Sequence, residues 1–227
     1  MVRGRYAAQS GARSRAWPAG EGSLPTVREL MPGLWHWTAR HEHIGAYVSS
    51  YYLAGERVLI DPMEPPEGLE WLRRHGAPEH VLLTNRHHDR HSWRLQDEFG
   101  CAVHCIRNGV YELEGRGPVE PFDFGDELPG GVSAHEVDAI CPDETALYIS
   151  RHRALACADG VVQSRAGGGL GFVPDQLMDD PEETKQGLRD AYAQLLELEF
   201  DVLLLAHGEP VVGGAREALR AFVEQDV

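Results

Sequence analysis

Leu82-Leu-Thr-Asn-Arg-His-His-Asp-Arg-His91 is the stretch on which the reading of this chain turns. It continues a short apolar run, His80-Val-Leu-Leu, and breaks at Thr84 into a segment dense in histidine, arginine and aspartate. A helical pattern begins again at about Ser92 and stops at Gly100. An apolar run bounded in this way predicts a buried strand. Its end would deliver polar side chains into a loop before the helix. Imidazole and carboxylate are the donors that bind first-row metals, so this loop is the first place to look for chemistry.

Outward from that loop, strand-like and helix-like segments alternate. Upstream, Gly33 to Trp37, Tyr47 to Leu53 and Arg57 to Asp61 predict strands, the last ending on an acid. Pro66 to His75 has helical spacing. Downstream, strands are predicted over Cys101–Ile106, Val132–Val137, Thr145–Ser150, Ala154–Ala158 and Asp201–Ala206. Gly160 to Pro181 reads as a loop, and helices follow over Pro181–Leu198 and Arg216–Gln225. Strand groups interrupted by single helices predict two sheets packed face to face with helices outside, a layered α/β architecture.

The chain has 227 residues and a formal net charge of -15. So acidic a surface repels phosphate backbones and anionic lipid, which argues against nucleic-acid and membrane partners and for a small-molecule substrate or ligand. Cys101, Cys105, Cys141 and Cys157 lack the paired spacing of a zinc knuckle and are expected to be buried thiols in a reducing compartment, so the expected location is cytoplasmic. Arg3, Arg5, Arg13 and Arg15 stand in an acid-free N-terminal segment. Residues 1–26 are accordingly expected to be a disordered arm preceding one domain over 27–227.

Four ordered stretches resemble the metallo-β-lactamase superfamily. Ser50-Tyr-Tyr-Leu with Val58-Leu-Ile-Asp61 is similar to its opening hairpin and strand-end aspartate. Leu82 to His91 occupies the place of its T-H-x-H-x-D-H signature. Cys141-Pro-Asp-Glu-Thr-Ala-Leu-Tyr-Ile149 resembles the end of its P-G-H segment. Ala158-Asp-Gly160 and Leu205-Ala-His-Gly-Glu-Pro210 resemble its G-D and G-H-G-x-P. The resemblance implies a four-layer αββα sandwich with an active site where strand ends converge. It also implies two metals activating a water for hydrolysis.

Position by position, the implied ligand set is incomplete. His87, Asp89, Asp159 and His207 match the family's ligands, whereas Asn85, Arg90 and Ile140 stand where histidines belong. At most one divalent metal is therefore expected (zinc, iron or manganese), or none. The ligands would be His87, Asp159 and His207, with Asp89 as a further ligand or general base. His88 and His91 are candidate substitutes. Arg90, lying beside Asp89 and near Asp159, would neutralise both by forked hydrogen bonds if no metal binds. Two functions follow: a hydrolase-like enzyme for a small ester, thioester, lactone or amide, or a metal-free binding protein with Arg90 as its fixed cation.

Overall fold

The computed structural model describes residues 26–164 and 168–225. The expected arm, residues 1–26, lies outside the described residues except for Thr26. The strands, in chain order, are β1 (Arg28–Met31), β2 (Leu34–Arg40), β3 (Tyr47–Leu53), β4 (Val58–Ile60), β5 (His80–Leu82), β6 (Ala102–Ile106) and β7 (Val119–Phe122), then β8 (Glu127–Leu128), β9 (Val132–Glu136), β10 (Thr145–Ile149), β11 (Ala154–Cys157), β12 (Val162–Gln163), β13 (Leu170–Gly171), β14 (Val202–Leu205) and β15 (Val211–Val212). The helices are α1 (Leu69–His75), α2 (Ser92–Phe99), α3 (Pro181–Leu195) and α4 (Ala215–Val223).

β1 to β7 form one seven-stranded sheet in sequence order. Its first four strands are antiparallel and β4 to β7 are parallel. Parallel neighbours cannot be joined by a tight turn and need a crossover, which α1 and α2 supply on either side of β5. α2 stops at Gly100, whose left-handed backbone (φ 69°) turns its N–H back to the Gln96 carbonyl. The second sheet has six strands in the order β15-β14-β11-β10-β9-β8, and β11 and β14 run parallel. The expected loop from Gly160 to Pro181 is corrected in part: β12 and β13 pair within it as a small hairpin.

Alternation along β11 and β14 shows how the layers stack. Ala154, Ala156, Val202 and Leu204 face the core between the sheets, together with Tyr51, Ile60 and Leu82. Leu155, Cys157, Leu203 and Leu205 face outward onto Leu188 and Tyr192 of α3 and Leu219 and Phe222 of α4. Both faces of these strands are covered, which is why they read as unbroken apolar runs in the sequence. α1 and α2 cover the other sheet through Trp71, Leu72 and Leu95. The result is the αββα sandwich expected from the motifs. Among the described residues, no helix is long and apolar enough to cross a membrane.

The two-sided burial of β14 gives a direct test. Leu203→Ala and Leu204→Ala open cavities on opposite faces of one strand, and each is expected to cost about 2–5 kcal/mol. Val212→Ala on the exposed edge strand should change stability by no more than about 0.5 kcal/mol. Urea denaturation of the three variants checks this, and a tolerant Leu203 or Leu204 would contradict the layering.

Candidate metal centre

Asp61, Thr84, Asp159 and His207 lie just beyond the C-terminal ends of β4, β5, β11 and β14. Each of these pairs of strands is parallel, so their ends open at one edge of the sandwich. Bonds between the sheets fasten that edge. Ser49 N donates to the Ala206 carbonyl (2.9 Å) and Thr145 N to the Thr84 carbonyl (2.8 Å). The Tyr51 hydroxyl donates to the Leu205 carbonyl (2.8 Å).

Asp61 is buried, with a left-handed backbone (φ 47°) that a non-glycine residue adopts only where its surroundings compel it. Its carboxylate accepts from Thr84 N (2.9 Å) and Thr84 Oγ1 (2.5 Å), and lies 2.9 Å from His88 Nδ1. Arg86–His88 form one turn of 3₁₀ helix. With about three residues per turn, successive side chains spread roughly 120° apart, so only one of them can face the cleft. Arg86 points inward to Asp143, whose carboxylate takes both its guanidinium and its backbone N–H (2.7 Å). His88 is captured by Asp61. His87 is exposed, and its N–H bonds Asn85 Oδ1 (2.9 Å).

Captured in this way, His88 presents Nε2 to Asp159 Oδ1 at 3.4 Å, and His207 Nε2 lies 3.1 Å from the same oxygen. Asn85 Nδ2 donates to Asp159 Oδ2 (3.2 Å). One donor atom from each of His88, Asp159 and His207 lies within 4.8 Å of the others. Burial by itself would lower the His88 pKa, but the Asp61 and Asp159 carboxylates overcome it and push the pKa up to about 9. Burial opposes ionisation of Asp159 too, yet His88 and His207 hold it well below the usual carboxylate range. His207 is lowered, chiefly by burial, against the opposing pull of Asp159.

The neighbouring loops are braced by buried polar contacts. Arg28 Nε donates to His36 Nδ1 (3.2 Å), which puts the ring proton on Nε2, 3.1 Å from Ser49 Oγ. Ser49 in turn donates to the Gly208 carbonyl (2.7 Å) and so fixes the residue after His207. Burial and the Arg28 charge lower the His36 pKa to about 3, keeping the ring neutral. Gly208 has φ 120°, and a Cβ there would collide with Gln163 Cβ, so the turn requires glycine. Beneath Asp159, the buried Glu144 accepts from Gly160 N. Burial, and then the Asp159 charge, push its carboxyl up to about 8.

Several expectations are corrected. Asp159 and His207 come together, but with His88 in place of His87. Asp89 turns away: its Oδ2 accepts from Trp93 Nε1 (2.9 Å) and pairs with Arg116. Arg90 does not fork onto Asp89 and Asp159; its Nη1 donates to the Ser49 (2.5 Å) and Asp61 (2.7 Å) carbonyls. Its backbone is left-handed (φ 39°). His91 accepts from Glu64 N through Nδ1 (3.0 Å) and stays out of the cluster. Ile140 packs against the helix-side core. Asp61 was visible in the sequence as a strand-end acid, and its need for a buried partner is the signal that selects His88.

No protein-family model matches the chain, and no curated protein matches it. Solved structures do. A metal-soaked flavodiiron core from Synechocystis sp. PCC6803 superposes with a TM-score of 0.65 at 14% identity, over 88% of this chain and 60% of its own. The chain thus spans about three fifths of that protein's length. A metallo-β-lactamase from Pontibacter korlensis gives 0.63 at 14% identity, covering 89% of this chain and 100% of its own. A metallo-β-lactamase family protein from Thermus thermophilus gives 0.61 at 15%, over 86% and 79%. These likenesses identify the metallo-β-lactamase fold.

Two outcomes test this geometry. The folded-state pKa of His88 lies above the ordinary value of 6.5, so its contribution to stability is complete below about pH 6.5 and fades as pH rises through about 9. Metal-free wild type should therefore lose melting temperature across that window, and His88→Gln should lose less. Equal slopes would refute the His88 assignment. Arg90→Ala removes a charged donor from two carbonyls and is expected to cost about 2–3 kcal/mol. A melt indistinguishable from wild type would place the guanidinium in solvent.

Proposed function

We propose that the chain is a hydrolase-like protein that holds a single divalent metal on His88, Asp159 and His207. Its substrate class would be a small ester, thioester, lactone or amide. The observation that carries this reading is the convergence of those three donors within 4.8 Å, with His88 Nδ1 already engaged by Asp61. A ligating histidine is usually held this way, its other ring nitrogen donating to a carboxylate that fixes the tautomer and ring plane. The donor set therefore fits a metal by its chemistry. Two imidazoles and one carboxylate suit zinc, iron or manganese.

A bound divalent ion at such a site supplies an acidified water and polarises a carbonyl oxygen. The chain's own residues do the positioning. Asp61 holds His88 with Nε2 toward the cleft. Asn85 occupies one oxygen of Asp159, leaving the other to face both histidines. The Ser49 bond to Gly208 sets the loop that presents His207. Asp89 is committed to Trp93 and Arg116, so the general-base role expected of it is withdrawn. With a net charge of -15, a small molecule in the cytoplasm remains the proposed partner, in preference to nucleic acid or membrane.

Plasma emission analysis of protein purified without chelator tests the ligand set. One tightly held equivalent is expected, lost in His88→Ala and His207→Ala and retained in His87→Ala, and a metal-free wild type would overturn the site. Metal that survives both of the first two variants, or two tightly held equivalents in wild type, would overturn the site. The loaded protein should hydrolyse at least one member of a chromogenic ester, thioester, lactone and amide panel, and His207→Ala should abolish this. No turnover across the panel would overturn the hydrolase half of the proposal.

A further inference from the structure

β2 ends at Arg40 and β3 begins at Tyr47, and the turn between them is closed by two backbone bonds. His41 N donates to the Ala46 carbonyl (2.8 Å) and Gly45 N to the His41 carbonyl (2.9 Å). Gly45 takes the left-handed backbone (φ 67°) that so tight a reversal needs. The closure sets the side chains of His41, Glu42 and His43 together, with one donor atom of each within 4.8 Å of the others. The two imidazole rings stand 5.6 Å apart, inclined at 60°. His43 N approaches His41 Nδ1 at 3.3 Å, a weak bond that places the ring's lone pair on the inner side of the turn.

A residue from a different element engages the carboxylate. His91 Nε2 lies 3.4 Å from Glu42 Oε1. Because His91 Nδ1 accepts from Glu64 N, its proton sits on Nε2 and points at Glu42. His91 is thus not a ligand but a donor that orients a carboxylate, as the partners of metal-bound carboxylates do. A simply solvated turn needs neither the convergence of donors nor this brace.

We propose that the tip of the β2–β3 turn is a second metal site, taking a zinc-class transition-metal ion on His41, Glu42 and His43 with His91 as the positioning residue. Two imidazoles and a carboxylate are donors for zinc, cobalt, nickel or copper and poor donors for magnesium or calcium. Glu42 and His43 are exposed, so the ion exchanges readily and binds more weakly than one held in the cleft. This site does not depend on the cleft reading, because it shares no residue with His88, Asp159 and His207.

The test is calorimetric titration of the full chain with zinc alone, and then with magnesium, in a non-coordinating buffer. Wild type should show a weak zinc class and no magnesium binding of comparable strength. Glu42→Gln and His43→Ala should each abolish the weak class, and His91→Ala should weaken it about tenfold. All three changes are near the surface, and unchanged melting temperatures confirm intact folding. His207→Ala should leave the weak class in place, which separates its fate from that of the cleft site. A wild type without the weak class, or one that keeps it at full strength in both Glu42→Gln and His43→Ala, overturns the proposal.

Discussion

The contact between the Asp61 carboxylate and His88 Nδ1 decides how the cleft is built. An ionised carboxylate removed from water must be hydrogen-bonded and faced by positive charge. Asp61 meets that requirement with both donors of Thr84 and with the imidazole of His88. Once His88 is committed, the 3₁₀ turn has little freedom left: Arg86 enters the buried pair with Asp143, and His87 is exposed. The opposite nitrogen of His88 is then aimed at Asp159 without any contribution from the second sheet. One buried anion in the first sheet thereby orients a side chain that works with residues of the other sheet.

Three acids beside the cleft are accommodated in three different ways. Asp61 is ionised and saturated with donors. Asp159 is ionised by two histidines and an amide, all of which approach from the cleft side. Glu144, fully buried with a single backbone donor, is pushed towards its neutral form. The charges are not redundant, since the Asp159 anion is itself one of the causes that raise Glu144. Whatever neutralises Asp159 thus eases ionisation beneath it, and the loop carrying Gly160 feels the change first.

Most of the scaffold was legible in the residues. Long apolar runs gave β3, β10 and β14 to within a residue or so, and α2 ran from Ser92 to Phe99 as read. β12, β13 and β15 were missed because two residues carry no periodicity, and the edge strand β1 was missed because half of it is exposed. Asp159 and His207 were found because strand ends place them. The choice between His87 and His88 was not, because it depends on the phase of a single turn, set by a residue more than twenty positions upstream. Arg90 failed for a related reason: whether a guanidinium finds a carboxylate or a carbonyl depends here on a left-handed backbone that no side-chain pattern announces.

Arg90 also bears on how such a site can change over time. Its guanidinium bonds the carbonyls of Ser49 and Asp61, the second of which belongs to the residue that orients His88. A histidine placed at position 90 is too short to serve both acceptors. A histidine there would therefore replace the arginine without taking over its two bonds. A chain without the arginine leaves two buried carbonyls short of a charged donor, so its stability falls before any ligand is gained.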